Sequence, residues 1–220
     1  MLEKLRLDGP PRKVAIVTGG SRGLGREMAL ALANAGADVC IAARTQEQLE
    51  RTAAVIAAES GREPYFLAMN VQSSEQCERL IRETAGHFGR VDILVNNAGI
   101  GDARGAGSGV WDLTDEDWHD TIEVNLYSTF YCTRSIVQYW REHGETGVIL
   151  NISSGTALRA HARGFAYAAA KAGVISLTKS SAAMLVRDGV RVNCIVPGFV
   201  AQHPPQTNEE ADLLASRGRL

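Results

Sequence analysis

Residues 14–25 read VAIVTGGSRGLG, an apolar run that leads into a glycine-rich turn, and a helical pattern follows from Arg26 to Asn34. The run Val14–Val17 predicts a buried strand. Glycines let a backbone approach a pyrophosphate closely, and the helix behind them offers free N–H groups and the positive end of its dipole. Strand, turn and helix therefore favour dinucleotide binding over a ligand-free glycine turn, although the spacing is G-x-x-x-G-x-G rather than G-x-G-x-x-G.

The same alternation of apolar runs and helical patterns continues along the chain. Because such alternation is typical of a parallel sheet covered on both faces, we expect an α/β fold with one Rossmann-type, doubly wound sheet in a single domain over residues 1–220. The predicted strands are Val14–Val17, Asp38–Ala43, Tyr65–Met69, Val91–Val95, Val148–Ile152 and Arg191–Val196. The predicted helices are Arg26–Asn34, Thr45–Ser60, a helix from Ser73 or Ser74 to about Phe88, Thr114–Trp140 and Phe165–Val186.

Composition and charge exclude several classes of protein. The 220 residues are 45% hydrophobic and 22% charged, and the formal net charge of −2 gives no overall field that favours nucleic acid or an anionic membrane. No apolar run approaches roughly eighteen residues, and no signal-peptide pattern is present. The four cysteines are scattered and the five histidines are not grouped, so we expect a cytoplasmic protein with reduced thiols and no metal site.

The end of the second predicted strand concerns the choice of cofactor. In NAD-binding Rossmann sites, an acidic residue near this point bonds the ribose 2′-hydroxyl. Here the strand ends with Arg44 and no carboxylate, and Arg22 in the glycine turn is a second cation nearby. Two arginines without an acid suit a 2′-phosphate, so we expect NADP in preference to NAD. The alternative is that both arginines are solvated surface residues.

Tyr167 and Lys171 are spaced to lie one turn apart on one face of the last long helix. An ammonium group beside a phenol favours the ionised phenol, which makes a tyrosine usable as an acid or base near neutral pH. Ser154 follows the fifth strand, at the end where α/β proteins place reactive groups. The alternative is a chance coincidence of helical spacing, since such pairs are common on exposed helices.

Two further features involve asparagines. The stretch Asn96-Asn97-Ala98-Gly99 follows the fourth strand, and it either borders a cofactor or forms a hydrogen-bonded turn. Asn125 lies in the middle of a predicted long helix, where its propensity is poor. It is therefore either a solvent-exposed residue without a role or part of a local distortion of the helix that serves a function.

Taken together, these motifs resemble the short-chain dehydrogenase/reductase family, and in particular its 3-oxoacyl-(acyl-carrier-protein) reductase-like branch. The resemblance covers roughly residues 12 to 202. Six motifs in one order make it very specific: Thr18-Gly19-x-x-x-Gly23-x-Gly25, Asn96-Asn97-Ala98-Gly99, Asn125, Ser154, Tyr167-x-x-x-Lys171 and Pro197-Gly198. It implies an NADP-dependent oxidoreductase that transfers a hydride between the nicotinamide and a carbonyl or secondary alcohol substrate.

The resemblance also implies a role for each matched residue. Tyr167 would be the general acid or base, Lys171 would assist it and bond the nicotinamide ribose, and Ser154 would bond the substrate oxygen. Asn125 would hold a water that links Lys171 to solvent, while Ser153 should point to the other face of its strand. The implied cofactor contacts are Gly19, Ser21, Arg22, Gly23, Leu24, Arg44, Asn70, Val71, Asn97, Gly99, Tyr167, Lys171, Pro197 and Gly198.

The chain departs from the family pattern in three places. Asn70-Val71 stands where the family has Asp-Val, so a carboxylate contact with the adenine is lost. The loop after Gly99 is a few residues longer than expected. The family's C-terminal strand is apparently absent, and Gln202 stands where a threonine is frequent. A non-catalytic dinucleotide-binding or assembly protein of the same fold is therefore the competing hypothesis.

Partners are implied by the same resemblance. The helices Thr114–Trp140 and Phe165–Val186 look like those that pack across a two-fold axis in the family, which implies a homodimer or homotetramer.

Arg159, His161 and Arg163 lie in the loop after the fifth strand and suit an acidic or phosphopantetheine-bearing substrate. A solvated loop without a substrate contact is the alternative.

Overall fold

One parallel sheet of six strands forms the centre of the protein, in the order β3-β2-β1-β4-β5-β6. The structure is a computed structural model that describes residues 6–101, 109–159, 164–198, 200 and 207–209. The strands are β1 (Val14–Thr18), β2 (Asp38–Ala43), β3 (Tyr65–Ala68), β4 (Ile93–Asn96), β5 (Val148–Ile152) and β6 (Arg191–Ile195). All neighbouring strands run parallel, so the predicted doubly wound α/β fold is confirmed.

Helices cover both faces of this sheet. They are α1 (Gly23–Asn34), α2 (Gln46–Ser60), α3 (Ser74–Phe88), α4 (Asp115–Ile122), α5 (Ser128–His143) and α6 (Phe165–Leu185). Successive residues of a strand point to opposite faces, and β1 shows the division. Ala15 and Val17 pack with Ala29 of α1 and Ile56 of α2. Ile16 belongs to the cluster on the opposite face, with Leu80 of α3, Ile136 and Trp140 of α5.

The helix ends follow the chemistry of their terminal residues. The Ser73 side chain accepts a hydrogen bond of 3.2 Å from the backbone N–H of Gln76, which caps α3. Gly61 and Gly89 end α2 and α3 with φ values of +68° and +83°, a backbone region that glycine adopts without steric cost. The main boundary difference is at α1, which begins at Gly23 rather than at Arg26, so that the last glycines of the motif form its first turn.

The single long helix predicted for Thr114–Trp140 is wrong in detail. A π-helical turn at Glu123–Tyr127 separates α4 from α5, and the N–H of Ser128 bonds the carbonyl of Glu123, five residues earlier. Asn125 lies inside this turn with 0% of its surface exposed. Asn125 is therefore part of a local distortion of the helix and is not a solvent-exposed residue. Such π-helical turns are frequent at functional sites.

Some expectations concern residues outside the described part of the chain. They are the part of the longer loop after Gly99 at residues 102–108, the residues His161, Arg163 and Gln202, and the expected absence of a C-terminal strand. Across the residues that the structure does describe, no helix is both long and apolar enough to cross a membrane. In the same residues, no three His, Cys, Asp or Glu side chains are grouped as metal ligands would be.

Candidate active site

A cavity of about 860 Å³ opens at the carboxyl ends of the strands, where the strand order reverses between β1 and β4. Ligands of open α/β sheets bind at this point because the loops on its two sides run in opposite directions. The predicted cofactor contacts that line the cavity are Gly19, Ser21, Arg22, Gly23, Leu24, Arg44, Asn70, Val71, Asn97, Gly99 and Tyr167. Residues from distant parts of the sequence therefore converge on one space.

Several lining residues were not predicted from the sequence. They are Thr45 and Gln48 of the α2 start, together with Gly25, Arg26, Glu27, Ala43, Met69, Ala98, Ile100, Val124 and Val200. Thr45 and Gln48 carry a signal that sequence reasoning can use. Both lie within four residues after Arg44, and the first turn of a helix after a parallel strand lies at the same edge of the sheet as the glycine turn.

The glycine turn is held against the end of β4 by hydrogen bonds. The Thr18 hydroxyl accepts from the backbone N–H groups of Asn97 and Ala98, each at 3.1 Å. The Asn97 side chain donates to the carbonyls of Thr18 and Gly19, at 3.0 and 3.3 Å. The stretch after β4 thus forms a hydrogen-bonded turn and also borders the cavity. From the sequence alone, a turn and a cofactor-bordering stretch are alternatives, but in the structure the same residues form the turn and line the cavity.

The helix N-termini at the cavity suit phosphate groups. Among the described residues, neither Arg22 nor Thr45 caps its helix with a side-chain hydrogen bond, although α3 and α4 are capped by Ser73 and Thr114. The N–H groups at the starts of α1 and α2 are therefore left without a side-chain cap at the cavity. A Cβ atom at Gly23 would meet nothing within 4 Å, which leaves room for a ligand beside the turn. The site thus fits a dinucleotide.

The charges around the cavity are unbalanced in favour of cations. Arg22 and Arg44 are both exposed and both line the cavity. Neither forms an ion pair with any carboxylate of the described residues. The lining carboxylate of Glu27 instead accepts hydrogen bonds of 3.0 and 2.8 Å from the guanidinium of Arg26. Two arginines therefore remain available to an anionic group.

Asn70 borders the cavity at the end of β3. Its side-chain oxygen accepts a 3.1 Å hydrogen bond from the N–H of Gln72, and its own N–H donates to the side chain of Gln76 at 2.8 Å. The amide that replaces the family's aspartate therefore keeps the turn-forming acceptor of a carboxylate. It does so without adding a negative charge to the cavity.

Lys171 is buried beside Tyr167, with 4% of its surface exposed. Its ammonium nitrogen lies 5.7 Å from the centroid of the Tyr167 ring and donates a 2.9 Å hydrogen bond to the carbonyl of Ile152. Burial lowers the pKa of Lys171 from 10.5 to about 8, because removing an ammonium from water disfavours its charged form. A titratable cation with a displaced pKa thus lies next to the phenol ring.

Asn125 lies close to Lys171, on the other side of Gly99. Its side-chain nitrogen donates to the carbonyls of Ile100 and Thr121, both at 2.9 Å. Its side-chain oxygen is buried and has no hydrogen-bond partner among the described residues. A Cβ atom on Gly99 would lie 2.7 Å from that oxygen and 3.4 Å from the Lys171 nitrogen, so only glycine leaves this space open. Asn125, Gly99 and Lys171 therefore converge on one point.

The two serines after β5 point in different directions. Ser153 is buried and donates a 2.7 Å hydrogen bond to the backbone carbonyl of Lys171. Ser154 is half-buried, and its hydroxyl accepts hydrogen bonds from the N–H and hydroxyl of Thr156, at 3.3 and 3.0 Å. The prediction that Ser153 faces away from the site agrees with this geometry.

Five of the predicted site residues do not line this cavity: Asn125, Ser154, Lys171, Pro197 and Gly198. Asn125 and Lys171 lie behind Gly99, which does line it. Pro197 is tied to the serine turn, because its carbonyl accepts a 2.8 Å hydrogen bond from the N–H of Gly155. The short turn Gly155–Ala157 packs against α6, the helix that carries Tyr167.

A buried polar ladder fixes the strands beneath the site. Asn96 of β4 donates to the side-chain oxygen of Asn151 in β5 at 2.9 Å. Asn151 in turn donates to the hydroxyl of Thr178 in α6, also at 2.9 Å. Hydrogen bonds between buried side chains link the elements that carry them, here β4, β5 and α6. The ladder therefore connects α6, the helix that carries Tyr167 and Lys171, to the sheet.

Known proteins are similar to this chain in sequence and in fold. A family model described as short chain dehydrogenase matches residues 13–212. The short chain dehydrogenase/reductase astE of Aspergillus oryzae is 40% identical over 199 residues, which are 90% of this chain and 74% of that protein. A 3-oxoacyl-(acyl-carrier-protein) reductase of Synechocystis is 37% identical, with 86% of this chain and 74% of that protein covered. The crystal structure of a short chain dehydrogenase from Mycobacterium smegmatis superimposes with a TM-score of 0.83 at 35% identity, covering 97% of this chain and 87% of that one.

Proposed function

This chain belongs to the short-chain dehydrogenase/reductase family, whose members are NAD(P)-dependent oxidoreductases of carbonyl and alcohol substrates, and from that premise we propose that it uses NADP(H) and that Asn125, Ser154, Tyr167 and Lys171 perform its chemistry. The observation that carries the proposal is the buried ammonium of Lys171, 5.7 Å from the centroid of the Tyr167 ring. Burying an ammonium group costs free energy, and titratable groups with a displaced pKa cluster at functional sites. A catalytic role therefore explains the burial of Lys171.

Tyr167 is the proton donor in reduction and the proton acceptor in oxidation. It lines the cavity, which is the space that a substrate would enter. The charge on Lys171 stabilises the phenolate that remains after the proton leaves, and the carbonyl of Ile152 holds the ammonium in place. A positioned acid of this kind contributes roughly 10²–10⁴-fold to a rate.

Ser154 donates a hydrogen bond to the substrate oxygen on which charge develops. Its hydroxyl already accepts from Thr156, and a hydroxyl that accepts from a neighbour can still donate its own proton. Ser153 is not available for this role, because its proton is committed to the backbone carbonyl of Lys171. The two serines therefore divide between substrate binding and support of α6.

Asn125 completes the path by which the Lys171 proton is exchanged with solvent. Its side-chain oxygen is buried without a partner, and it faces the same point as the Lys171 nitrogen across Gly99. Buried acceptors of this kind are usually satisfied by an ordered water. We assign to Asn125 the role of holding that water.

The cofactor residues divide by the part of the dinucleotide they suit. The glycine turn and the N-terminus of α1 suit the pyrophosphate, and Arg22 and Arg44 suit the 2′-phosphate of NADP. Pro197 and Gly198 would hold the nicotinamide side of the cofactor, since Pro197 is bonded to the serine turn. When bound, the nicotinamide supplies the hydride chemistry, while the protein orients the substrate and supplies the proton.

Replacement of Tyr167 by Phe tests the proposed acid. We expect Tyr167→Phe to lower kcat for carbonyl reduction with NADPH by roughly 10²–10⁴-fold on a panel of ketones and 3-oxoacyl thioesters. The control is Tyr127→Phe, since Tyr127 is 43% exposed and does not line the cavity. Near wild-type reduction by the Tyr167→Phe variant would show that another group provides the proton.

Reversal of the charge at Arg44 tests the cofactor preference. We expect Arg44→Asp to weaken NADPH binding relative to NADH binding by about tenfold or more, because a carboxylate repels the 2′-phosphate. The control is Arg51→Asp, since Arg51 lies in the nearby helix α2 but pairs with Glu47 and does not line the cavity. An unchanged ratio of the two dissociation constants in Arg44→Asp would contradict the 2′-phosphate assignment.

A further inference from the structure

Two residues of α2, Gln48 and Thr52, hold the glycine turn from the side. They are four residues apart, so they share one face of the helix. Both are hydrogen-bonded to Ser21: the Thr52 hydroxyl donates to the Ser21 carbonyl at 2.9 Å, and the Ser21 hydroxyl donates to the side-chain oxygen of Gln48 at 3.3 Å. Thr52 is 3% exposed, so the donor of its bond is buried. The sequence motifs assigned no role to either residue.

This connection fixes the backbone immediately before Arg22. Ser21 is bonded through both its carbonyl and its hydroxyl, and Arg22 follows with extended backbone, at φ −166° and ψ 172°. Arg22, Arg44 and Gln48 line the same cavity. The two bonds of α2 to Ser21 therefore constrain the backbone from which the Arg22 side chain extends at the cavity.

The polar groups that α2 presents to this part of the cavity are uncharged. Glu47 is paired with Arg51 at 2.6 Å, and Glu50 accepts a hydrogen bond from Gln46 at 2.9 Å. Gln48 uses its side-chain oxygen to accept from Ser21, which leaves its NH₂ group available as a donor. A neutral donor beside two arginines favours an anion, whereas a carboxylate at this position would offset one of them.

We propose that Gln48 is a further specificity-determining residue for the 2′-phosphate of NADP, and that Thr52 is a positioning residue that acts through Ser21 and Arg22. This inference rests on the proposed function, since it extends the same phosphate site to α2. It predicts that the preference for NADPH over NADH depends on the face of α2 that carries Gln48 and Thr52, in addition to the glycine motif and Arg44.

The first test replaces Gln48 by Glu, which keeps the acceptor for Ser21 and adds one negative charge. We expect the dissociation constant of NADPH to rise by about tenfold relative to that of NADH, measured on the purified protein by isothermal titration calorimetry. Gln46→Glu is the control, because it adds the same charge two residues earlier on a side chain that does not line the cavity. A Gln48→Glu ratio no different from that of the control would overturn the role of Gln48.

The second test compares Thr52→Val with Thr52→Ser. Valine keeps the shape but removes the donor to Ser21, while serine keeps the donor. We expect Thr52→Val to raise the dissociation constant of NADPH relative to that of NADH by about threefold or more. We expect Thr52→Ser to keep the ratio of the two dissociation constants near that of the unmodified protein. If Thr52→Val lowers Tm and weakens both cofactors equally, Thr52 has only a structural role and its positioning role is overturned.

The charge reversal at Arg44 separates this inference from the function on which it rests. If Arg44→Asp shifts the ratio while Gln48→Glu and Thr52→Val do not, the NADP site stands and the role of α2 is overturned. If Arg44→Asp leaves the ratio unchanged, or the unmodified protein binds NADH as tightly as NADPH, the 2′-phosphate site itself is wrong and the inference falls with it.

Discussion

The ammonium nitrogen of Lys171 lies 5.7 Å from the centroid of the Tyr167 ring, within the range in which a cation and an aromatic ring attract each other. Helical spacing alone places the two residues on one face of α6. The hydrogen bond of Lys171 to Ile152 ties that face to the end of β5. The pair is thus defined by a helix and a strand together, and the ammonium is almost fully removed from water.

The first prediction concerns the pH dependence of stability. The pKa of Lys171 is lowered from 10.5 to about 8 by burial, so the unfolded chain binds more protons than the folded one between these two values. The free energy of unfolding should therefore rise with pH in this window, as the penalty of the buried charge disappears. In Lys171→Met this contribution is absent.

We expect the wild-type protein to gain about 2–3 kcal/mol in unfolding free energy relative to Lys171→Met between pH 7 and pH 10.5. Urea unfolding of both proteins at the two pH values measures this difference. Other groups titrate in both proteins and cancel in the comparison. Parallel pH profiles for the two proteins would mean that Lys171 keeps an ordinary pKa in the folded state.

The second prediction separates the two adjacent serines. We expect Ser154→Ala to lower kcat/KM for carbonyl reduction by roughly 10²-fold, because it removes a donor to the oxygen on which charge develops. We expect Ser153→Ala to lower the free energy of unfolding by about 1 kcal/mol, since it loses its hydrogen bond to Lys171, and to leave the rate near that of wild type. Steady-state kinetics and urea unfolding of both variants measure these effects. The reverse pattern, with the rate lost in Ser153→Ala, would exchange the proposed roles.

Much of the fold could be predicted because its signals are local. The strands are short apolar runs, and β2 and β5 have the predicted bounds, Asp38–Ala43 and Val148–Ile152. Gly61 and Gly89 end their helices because each adopts a positive φ that a glycine allows. These features depend on a few neighbouring residues, and those residues are visible in the sequence.

The rest depends on tertiary contacts that no local pattern records. The π-helical turn at Asn125 adds one residue to a turn without interrupting the run of helix-forming residues, so the sequence reads as one helix. The role of Asn97 was also open, because its bonds to Thr18 and Gly19 span almost eighty positions of the chain. The bonds of Gln48 and Thr52 to Ser21 join residues that become neighbours only when α2 packs beside the glycine turn.

The third prediction contrasts two glycines in helices. A Cβ atom at Gly25 would lie closer than 3.0 Å to the backbone oxygen of Gly19 and to the side-chain nitrogen of Asn97, and a backbone atom cannot move aside cheaply. We expect Gly25→Ala to lower the free energy of unfolding by about 1–3 kcal/mol through overpacking. It should also weaken NADPH binding, because the turn must shift to relieve the contact.

Gly86 in α3 provides the matched control for this substitution. A Cβ atom there would meet nothing within 4 Å, and alanine is the better helix former. We therefore expect Gly86→Ala to raise the free energy of unfolding by about 0.5–1 kcal/mol and to leave NADPH binding unchanged. Urea unfolding and calorimetric titration of both variants measure the contrast. If Gly25→Ala matched Gly86→Ala in stability and in cofactor affinity, the close packing of α1 on the glycine turn would not be what requires glycine at position 25.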